Sequence, residues 1–291
     1  MDKPGFFPER LSDCSVAIVG LGLMGGSLAL ALRGFCRELL GIDPDPATAA
    51  LAQQMRLVDR FSPTPEPLLP EADIVILAAP VGVILDQIAR LPQLHPGQAL
   101  VLDLGSTKSE IMRAMQALPA RFDPLGGHPM TGKERSSLRE AEAGLYHGAP
   151  FAFTPLERTS PRARALGEQI ARCAGAQPLW LEAGQHDRLA SAVSHVPFLA
   201  ANALAAVTPD EASVLVGPGF RSTTRVAATP DSMILDVLLT NRENVLSGLR
   251  DLRAQLGLLE AALQAGDEAG LRTLIQAGAQ QRSRLVTEKA P

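Results

Sequence analysis

The stretch Ser15-Val16-Ala17-Ile18-Val19-Gly20-Leu21-Gly22-Leu23-Met24-Gly25 decides the predicted fold of this chain. Its continuous apolar run predicts a strand that is buried on both faces. The three glycines match the pattern G-x-G-x-x-G. The first allows a tight turn, the second lets a pyrophosphate approach the main chain, and the third lets the following helix pack closely. We therefore expect a dinucleotide on the amino end of that helix.

Strands and helices alternate on both sides of this turn. The apolar runs 39–43, 74–78 and 99–103 predict further strands, and helical periodicity marks 25–34, 47–55 and 83–91. Residues 150–154 and 177–181 predict two later strands around a helix at 161–173, with Pro178 favouring an edge position for the last strand. This rhythm predicts an α/β domain of Rossmann type, with helices on both faces of a parallel sheet.

The pattern changes after about residue 182. Long Ala- and Leu-rich segments at 186–207, 231–265 and 267–285 have helical periodicity, and Asp267 is a candidate cap for the last of them. We therefore predict a dinucleotide-binding domain at residues 1–181 and an all-α domain at residues 182–291.

Composition excludes several classes of protein. The chain has 291 residues, of which 46% are hydrophobic and 20% charged, and a formal net charge of −4. That balance argues against disorder and against nucleic acid as a partner. We expect no membrane segment, because no apolar run reaches about 18 residues. The three cysteines are not spaced for a metal knuckle or a disulfide framework, so we expect no metal and a cytoplasmic location.

Asp43, at the end of the second strand, is placed to accept hydrogen bonds from the ribose of NAD and to repel the extra phosphate of NADP. Arg33 or Arg37 could instead bind that phosphate, which leaves NADP open as the less favoured cofactor. The predicted cofactor-binding set is Gly20, Gly22, Leu23, Met24, Gly25, Asp43, Ala79, Pro80 and Ser106.

Several polar residues lie where chemistry is expected. Ser106 follows another strand and is either a helix N-cap or a site residue. His128 is held between two glycines and a proline, and we interpret this segment as a constrained functional loop. His195 is either a core histidine or a ligand-binding residue. Arg221 and Arg225 lie in a segment interpreted as a glycine-broken loop, where they are either solvated or a clamp for an anionic substrate.

Taken together, five motifs resemble the prephenate/arogenate dehydrogenases of tyrosine biosynthesis. They are Gly20-Leu-Gly-Leu-Met-Gly-Gly-Ser-Leu-Ala29, Asp103-Leu-Gly-Ser-Thr-Lys108, Gly127-His-Pro-Met-Thr-Gly132, Ser194-His-Val-Pro197 and Gly219-Phe-Arg-Ser-Thr-Thr-Arg225, and Asn241-Arg-Glu-Asn244 also suits that family. The resemblance covers roughly residues 14–285. It implies that the second domain mediates dimerisation, with the active site in the cleft between the domains.

The resemblance also implies roles for individual residues. His128 matches the catalytic histidine that binds the ring 4-hydroxyl and takes its proton, and Ser106 matches the serine that orients this histidine. The remaining substrate-binding residues implied by the motifs are His195, Arg225, Arg221, Thr131 and Glu134. Ser222 and Ile234 depart from relatives that carry an acid and a tryptophan there, which leaves substrate preference open. Any tyrosine feedback is expected to act at the active site itself.

Two rival functions remain at this stage. A 3-hydroxyacid dehydrogenase or a small imine reductase shares the same domain order. The lysine-dependent versions fit poorly, because no lysine occurs between Lys133 and Lys289. A non-catalytic NAD-sensing protein would bind the cofactor but would leave His128 without a role. The sequence does not separate prephenate from arogenate, which differ by a keto or an amino group.

Overall fold

The computed structural model describes residues 8–133, 135 and 137–286. The strands are β1 Ser15–Val19, β2 Glu38–Ile42, β3 Arg60–Ser62, β4 Ile74–Leu77, β5 Ala99–Asp103, β6 Phe122–Pro129, β7 Pro150–Pro155 and β8 Gln177–Trp180. The helices between them are α1 Leu23–Leu32, α2 Pro46–Gln54, α3 Val81–Leu94, α4 Ser109–Gln116 and α5 Pro161–Cys173. The sequence prediction missed β3, α4 and β6.

Within the described residues the strands form one sheet in the order β3-β2-β1-β4-β5-β6-β7-β8. All neighbours are parallel except β6 and β7, so the predicted parallel sheet has one antiparallel step. The strand order reverses between β1 and β4, which is where ligands bind in such sheets. The carboxyl ends of β1, β2, β4, β5 and β6 meet at one edge, and this edge carries the candidate site. Pro178 lies on the edge strand β8, as predicted.

Two apolar layers cover the sheet. Along β1, Val16 and Ile18 pack into one core with α1 and α5, whereas Ala17 and Val19 pack into the other with α3 and α4. Alternate residues of a strand point to opposite faces, and here both faces are buried. This arrangement explains why the strand is a continuous apolar run.

The helices that follow are α6 Ala183–Ala190, α7 Val196–Val207, α8 Pro218–Thr224, α9 Asp231–Thr240, α10 Arg242–Gln264 and α11 Glu268–Val286. A π turn at Ser191–His195 joins α6 to α7. Contacts divide the chain into one compact unit that runs to Arg242 and a second that begins at Glu243. The helices up to α9 thus belong to the unit that contains the sheet, and the predicted boundary at 181/182 stays a prediction.

An Asp267 oxygen accepts the Gly270 N–H at 2.9 Å at the start of α11, as expected of a cap.

Among the described residues, the helical run Ala183–Val207 is long and apolar enough to cross a membrane on length and composition alone. Its mean hydropathy over the most apolar window is 1.4, which qualifies the expectation that no such run exists. A helix in the core of a folded domain passes the same test. His186 in this run lies within hydrogen-bonding distance of His128 on β6, so the run is part of the site.

Candidate active site

The glycine turn has no room for side chains. Gly20 has a φ of +98°, and a Cβ there would lie 2.3 Å from the carbonyl oxygen of Ala78. A Cβ on Gly25 would lie 1.8 Å from the carbonyl oxygen of Gly20. Gly22 caps α1 without a side-chain hydrogen bond, so the helix has no side-chain acceptor at its amino end. This close-packed turn at a helix terminus fits a pyrophosphate.

Asp43 supports this turn from the end of β2. Its Oδ2 accepts the Leu21 N–H at 2.7 Å, and its Oδ1 accepts the Asp45 N–H at 2.9 Å. A carboxylate has about four lone-pair sites, so two can still accept hydroxyl groups. Asp43 therefore has a structural role that the sequence did not reveal, beside the predicted ribose contact.

The alternative arginines lie at the opposite end of the sheet. Arg37 forms an ion pair with Asp73 at 2.9 Å and donates to the hydroxyl of Ser15, the first residue of β1. Arg33 follows the carboxyl end of α1 and lines a cavity of about 1050 Å³ beside the start of β2. Since α1 runs away from the glycine turn, the hypothesis that either arginine binds an NADP phosphate is wrong.

The remaining predicted cofactor residues surround the glycine turn. Pro80 caps α3 directly after β4, with Ala79 before it. Leu23 is buried in the core, and the carbonyl oxygen of Met24 accepts the Tyr146 hydroxyl at 2.6 Å. All four thus lie at the same sheet edge as the turn.

His128 is on strand β6, and the prediction of a loop there is wrong. β6 pairs with β5 over residues 122–125 and with β7 over residues 125–129, so pairing with β7 holds the part of the strand that carries His128. A Cβ on Gly126 would lie 2.1 Å from the hydroxyl of Thr154, and one on Gly127 would lie 2.6 Å from the carbonyl oxygen of Asp103. The glycines before His128 therefore allow close strand approach, and the strand fixes the histidine.

A chain of hydrogen bonds leads away from His128. Its Nδ1 lies 2.9 Å from Nε2 of His186 on α6, and Nδ1 of His186 lies 2.9 Å from Oδ1 of Asp187. The Asp187 carboxylate also accepts the main-chain N–H groups of Lys108 at 2.7 Å and Ser109 at 2.8 Å. It thereby caps α4 from a different element and anchors the histidines to the end of β5.

His195 joins the same cluster from the π turn. Its Nδ1 lies 3.1 Å from the Asn241 amide nitrogen, which also donates to the main-chain oxygen of Asp187 at 2.7 Å. Because that amide nitrogen can only donate, Nδ1 of His195 accepts and its proton is on Nε2. His195 is 1% exposed. Its partner is an asparagine side chain rather than the backbone carbonyl that a simple core histidine would use.

Burial and neighbouring charges set the protonation of this cluster. Burial lowers the pKa of His128 well below its usual value, helped by His186, Lys108 and His195 and opposed by Asp187. Burial also lowers the pKa of His195 to about 4. For Asp187, burial acts against ionisation, but hydrogen bonds from His186, Ser109 and Lys108 outweigh it and lower its pKa to about 2. At neutral pH the cluster contains a neutral His128 and an ionised Asp187.

Ser106 is not a helix cap, because α4 begins after Lys108 and Asp187 supplies its cap. Its partly buried side chain makes no hydrogen bond to another of the described residues, including His128. The predicted contact between the two side chains is therefore absent from this part of the structure, although both lie at the carboxyl edge of the sheet.

The predicted anion-binding residues lie further along the chain. Arg221 is on helix α8 and Arg225 begins the 3₁₀ turn that follows, so the prediction of a loop is wrong. Both side chains are exposed. Pro218 at the first turn of α8 fits a helix start, because the N–H it lacks has no partner there. The Thr131 hydroxyl donates to the Leu145 carbonyl at 3.0 Å. Glu134 lies outside the described residues.

Sequence reasoning missed several members of the cluster. They are His186, Asp187, Lys108, Asp103 and Asn241. The adjacent pair His186-Asp187 before an apolar helix was a usable signal, since buried histidines commonly pair with carboxylates. Lys108 gave a weaker signal. A fully buried lysine almost always has a partner, but the burial of Lys108 is visible only in the structure.

Comparison with known proteins agrees with this geometry. Residues 27–177 match the family model of the prephenate dehydrogenase nucleotide-binding domain, and residues 182–277 match that of the prephenate dehydrogenase dimerization domain. Prephenate dehydrogenase of Bacillus subtilis is 28% identical over 88% of this chain and 72% of its own length.

Two solved structures share the fold closely. Prephenate dehydrogenase from A. aeolicus, in complex with hydroxyphenyl propionate and NAD+, has a TM-score of 0.87 and 28% identity, and the match covers 94% of this chain and 99% of that one. Synechocystis arogenate dehydrogenase has a TM-score of 0.78 and 30% identity over 94% of this chain and 100% of that one.

The rival enzyme classes are more distant. A 1-pyrroline-5-carboxylate reductase from Streptococcus pyogenes reaches a TM-score of 0.52 at 15% identity, over 91% of this chain and 98% of that one, a likeness of fold alone. By contrast, the two prephenate dehydrogenase models together match most of the chain, in the domain order that the sequence predicts. The chain therefore belongs to the prephenate dehydrogenase family of oxidoreductases.

Proposed function

We propose that this protein catalyses the NAD-dependent oxidative decarboxylation of prephenate, arogenate or both, in tyrosine biosynthesis. The hydrogen-bonded chain from His128 through His186 to Asp187 carries the proposal, because it prepares one histidine to accept a proton. Both substrates are supported by similar enzymes, one named a prephenate dehydrogenase and another an arogenate dehydrogenase.

The protonation of the chain follows from its last member. An ionised Asp187 can only accept, so Nδ1 of His186 carries a proton. With Nε2 of His186 as the acceptor in the next hydrogen bond, Nδ1 of His128 donates to it. Nε2 of His128 is left with its lone pair, and it takes the proton from the substrate hydroxyl. Burial keeps His128 neutral, and hence a base, at pH 7.

The glycine turn fits NAD by its shape. A Cβ at Gly20 or Gly25 would collide with the carbonyl oxygen of Ala78 or Gly20, so only glycines keep the turn in this shape, and Asp43 retains acceptor sites for the ribose. When bound, NAD supplies the hydride acceptor, and the chain supplies position and a base. Arg33 and Arg37 lie away from the turn, which favours NAD over NADP.

The substrate would be held by side chains around this base. Arg225 would bind a substrate carboxylate, Arg221 would add a second positive charge, and Thr131 would contact the substrate. Ser106, whose hydroxyl has no other partner among the described residues, would meet the substrate hydroxyl.

Assembly and location follow the same proposal. We infer a homodimer, because residues 182–277 match a dimerization domain and several large apolar side chains of the later helices are exposed. Tyrosine would compete at the active site, since it resembles the product ring. The cysteines Cys14, Cys36 and Cys173 are free thiols, which suits the reducing cytoplasm.

The test measures NADH formation with purified protein, with prephenate and arogenate supplied separately, and repeats both assays with NADP. Turnover with NAD is expected, and the ratio of kcat/KM values identifies the preferred substrate. His128→Asn should keep NAD affinity and lose about 10²–10⁴-fold in kcat, the usual contribution of a general base. His147→Asn, the same change at an exposed histidine, is the matched control. No turnover in any mixture, with NAD binding intact by calorimetry, would rule out the proposed reaction.

A further inference from the structure

A fully buried lysine–aspartate pair lies beside strand β6, which carries His128. Lys108 and Asp103 are both 0% exposed, and Nζ of Lys108 contacts Oδ2 of Asp103. Nζ also donates to the Gly127 carbonyl at 2.6 Å. In return, Oδ1 of Asp103 accepts the Gly127 N–H at 3.2 Å, and Oδ2 accepts the Gly105 N–H at 2.7 Å. The pair therefore binds both polar groups of the residue before His128.

The same pair reaches the loop that carries Ser106. Gly105 directly precedes this serine, and a Cβ on Gly105 would lie 2.9 Å from Oδ2 of Asp103. One carboxylate thus holds the main chain immediately before Ser106 and, through Gly127, immediately before His128. These are the two residues to which the proposed function gives contacts with the substrate hydroxyl.

Stability alone gives a weak reason for such a pair. Desolvating two charges is costly, and well-packed apolar residues in their place are often neutral or stabilising. The pair is nevertheless coupled to titratable groups of the site. The Asp187 carboxylate on α6 acts to raise the pKa of Lys108, and the Lys108 cation helps to lower the pKa of His128.

We propose that Lys108 and Asp103 are positioning residues for the reaction: they fix the main chain that carries His128 and Ser106, and the Lys108 cation adds to the effect of burial on His128. The inference rests on the proposed function for the role of His128 as the base. It assigns to the pair no contact with substrate or cofactor.

The proposal predicts an electrostatic effect of the same sign for the two single variants. Lys108→Met removes the cation and should raise the pKa of His128, so the acid limb of the kcat/KM profile moves to higher pH. Asp103→Asn removes the counter-ion of the buried Lys108 amine, which then gives up its proton, so the limb should also move to higher pH. In both variants kcat should fall by roughly 10²-fold, the cost of a displacement of about 1 Å, while the Kd for NAD stays within about threefold.

A double variant separates positioning from folding. Lys108→Met combined with Asp103→Leu leaves no buried charge unpaired, so it should melt at a higher temperature than either single variant. Its kcat should still fall by about 10²-fold. Arg158→Met is the matched control, since Arg158 donates to three main-chain carbonyls at the other end of β6, including Phe122 at 2.7 Å. It should leave the profile unchanged.

Wild-type kcat in the folded double variant would overturn the proposal. So would an acid limb that moves to lower pH, or does not move, in either single variant. NMR titration of the His128 ring measures its pKa without turnover, with His128→Asn identifying the signal. A wild-type protein silent towards both substrates would refute the proposed function. The rise in the His128 pKa in both single variants would then still decide whether the pair tunes His128.

Discussion

Replacing Asp187 with asparagine tests the histidine chain most directly. The change keeps the shape of the side chain but removes its charge and one acceptor oxygen. In the wild-type structure the Asp187 carboxylate accepts three N–H groups, from His186, Lys108 and Ser109, at 2.7–2.9 Å. An asparagine oxygen can face only one side, so at least one of these donors will face the NH₂ group instead.

Two magnitudes follow for Asp187→Asn. Lowering the Asp187 pKa from 3.8 to about 2 corresponds to about 2 kcal/mol of folding stability at neutral pH, all of which the neutral amide loses. This stability is present above pH 3.8 and is lost as pH falls towards 2. In catalysis, His186 loses the partner that fixes its proton on Nδ1, so His128 is no longer held as a base. We expect kcat to fall by about 10²–10⁴-fold.

The assay combines steady-state kinetics at pH 7 with thermal and urea unfolding. NAD affinity, measured by calorimetry, should not change, because Asp187 does not contact the glycine turn. Asp123→Asn is the matched control: Asp123 is a buried carboxylate on β6 that accepts the Ser160 N–H at 3.1 Å. The reasoning fails if Asp187→Asn turns over at the wild-type rate, or if Asp123→Asn loses as much activity.

Three further predictions concern the cofactor turn, acid stability and the substrate clamp. Gly25→Ala should abolish NAD binding in calorimetry, because its Cβ would lie 1.8 Å from the Gly20 oxygen, whereas Gly184→Ala, which meets nothing within 4 Å, should bind normally. His195, with a folded pKa of about 4 against 6.5, contributes about 3 kcal/mol of stability that is present above pH 6.5 and lost as pH falls towards 4. His195→Gln should therefore flatten the dependence of urea unfolding on pH in that window, and an unchanged slope would refute the assignment. Arg225→Ala should raise KM at least tenfold with a smaller change in kcat, and an unaltered KM would place the clamp elsewhere.

Local patterns were sufficient for most of the nucleotide-binding half. β1 and the helix after its glycines follow from an apolar run and from turn chemistry, both of which act over a few residues. Strand β6 was missed because its sequence, Phe122-Asp123-Pro124-Leu125-Gly126-Gly127-His128-Pro129, has little strand propensity. It forms because β5 and β7 pair with it on both sides, a contribution that no local window contains.

The sequence by itself determined the fold class and the dinucleotide turn, and through family motifs it predicted a role for His128. Only the tertiary structure decided what surrounds that histidine. His128 and His186 are 58 residues apart, and Lys108 and Asp187 are 79 apart. Periodicity and turn signals specify local dihedral angles and burial, whereas these pairs form only when α6 packs against α4 and the end of β6. For that reason the hydrogen-bonded chain from His128 to Asp187 became visible only in three dimensions.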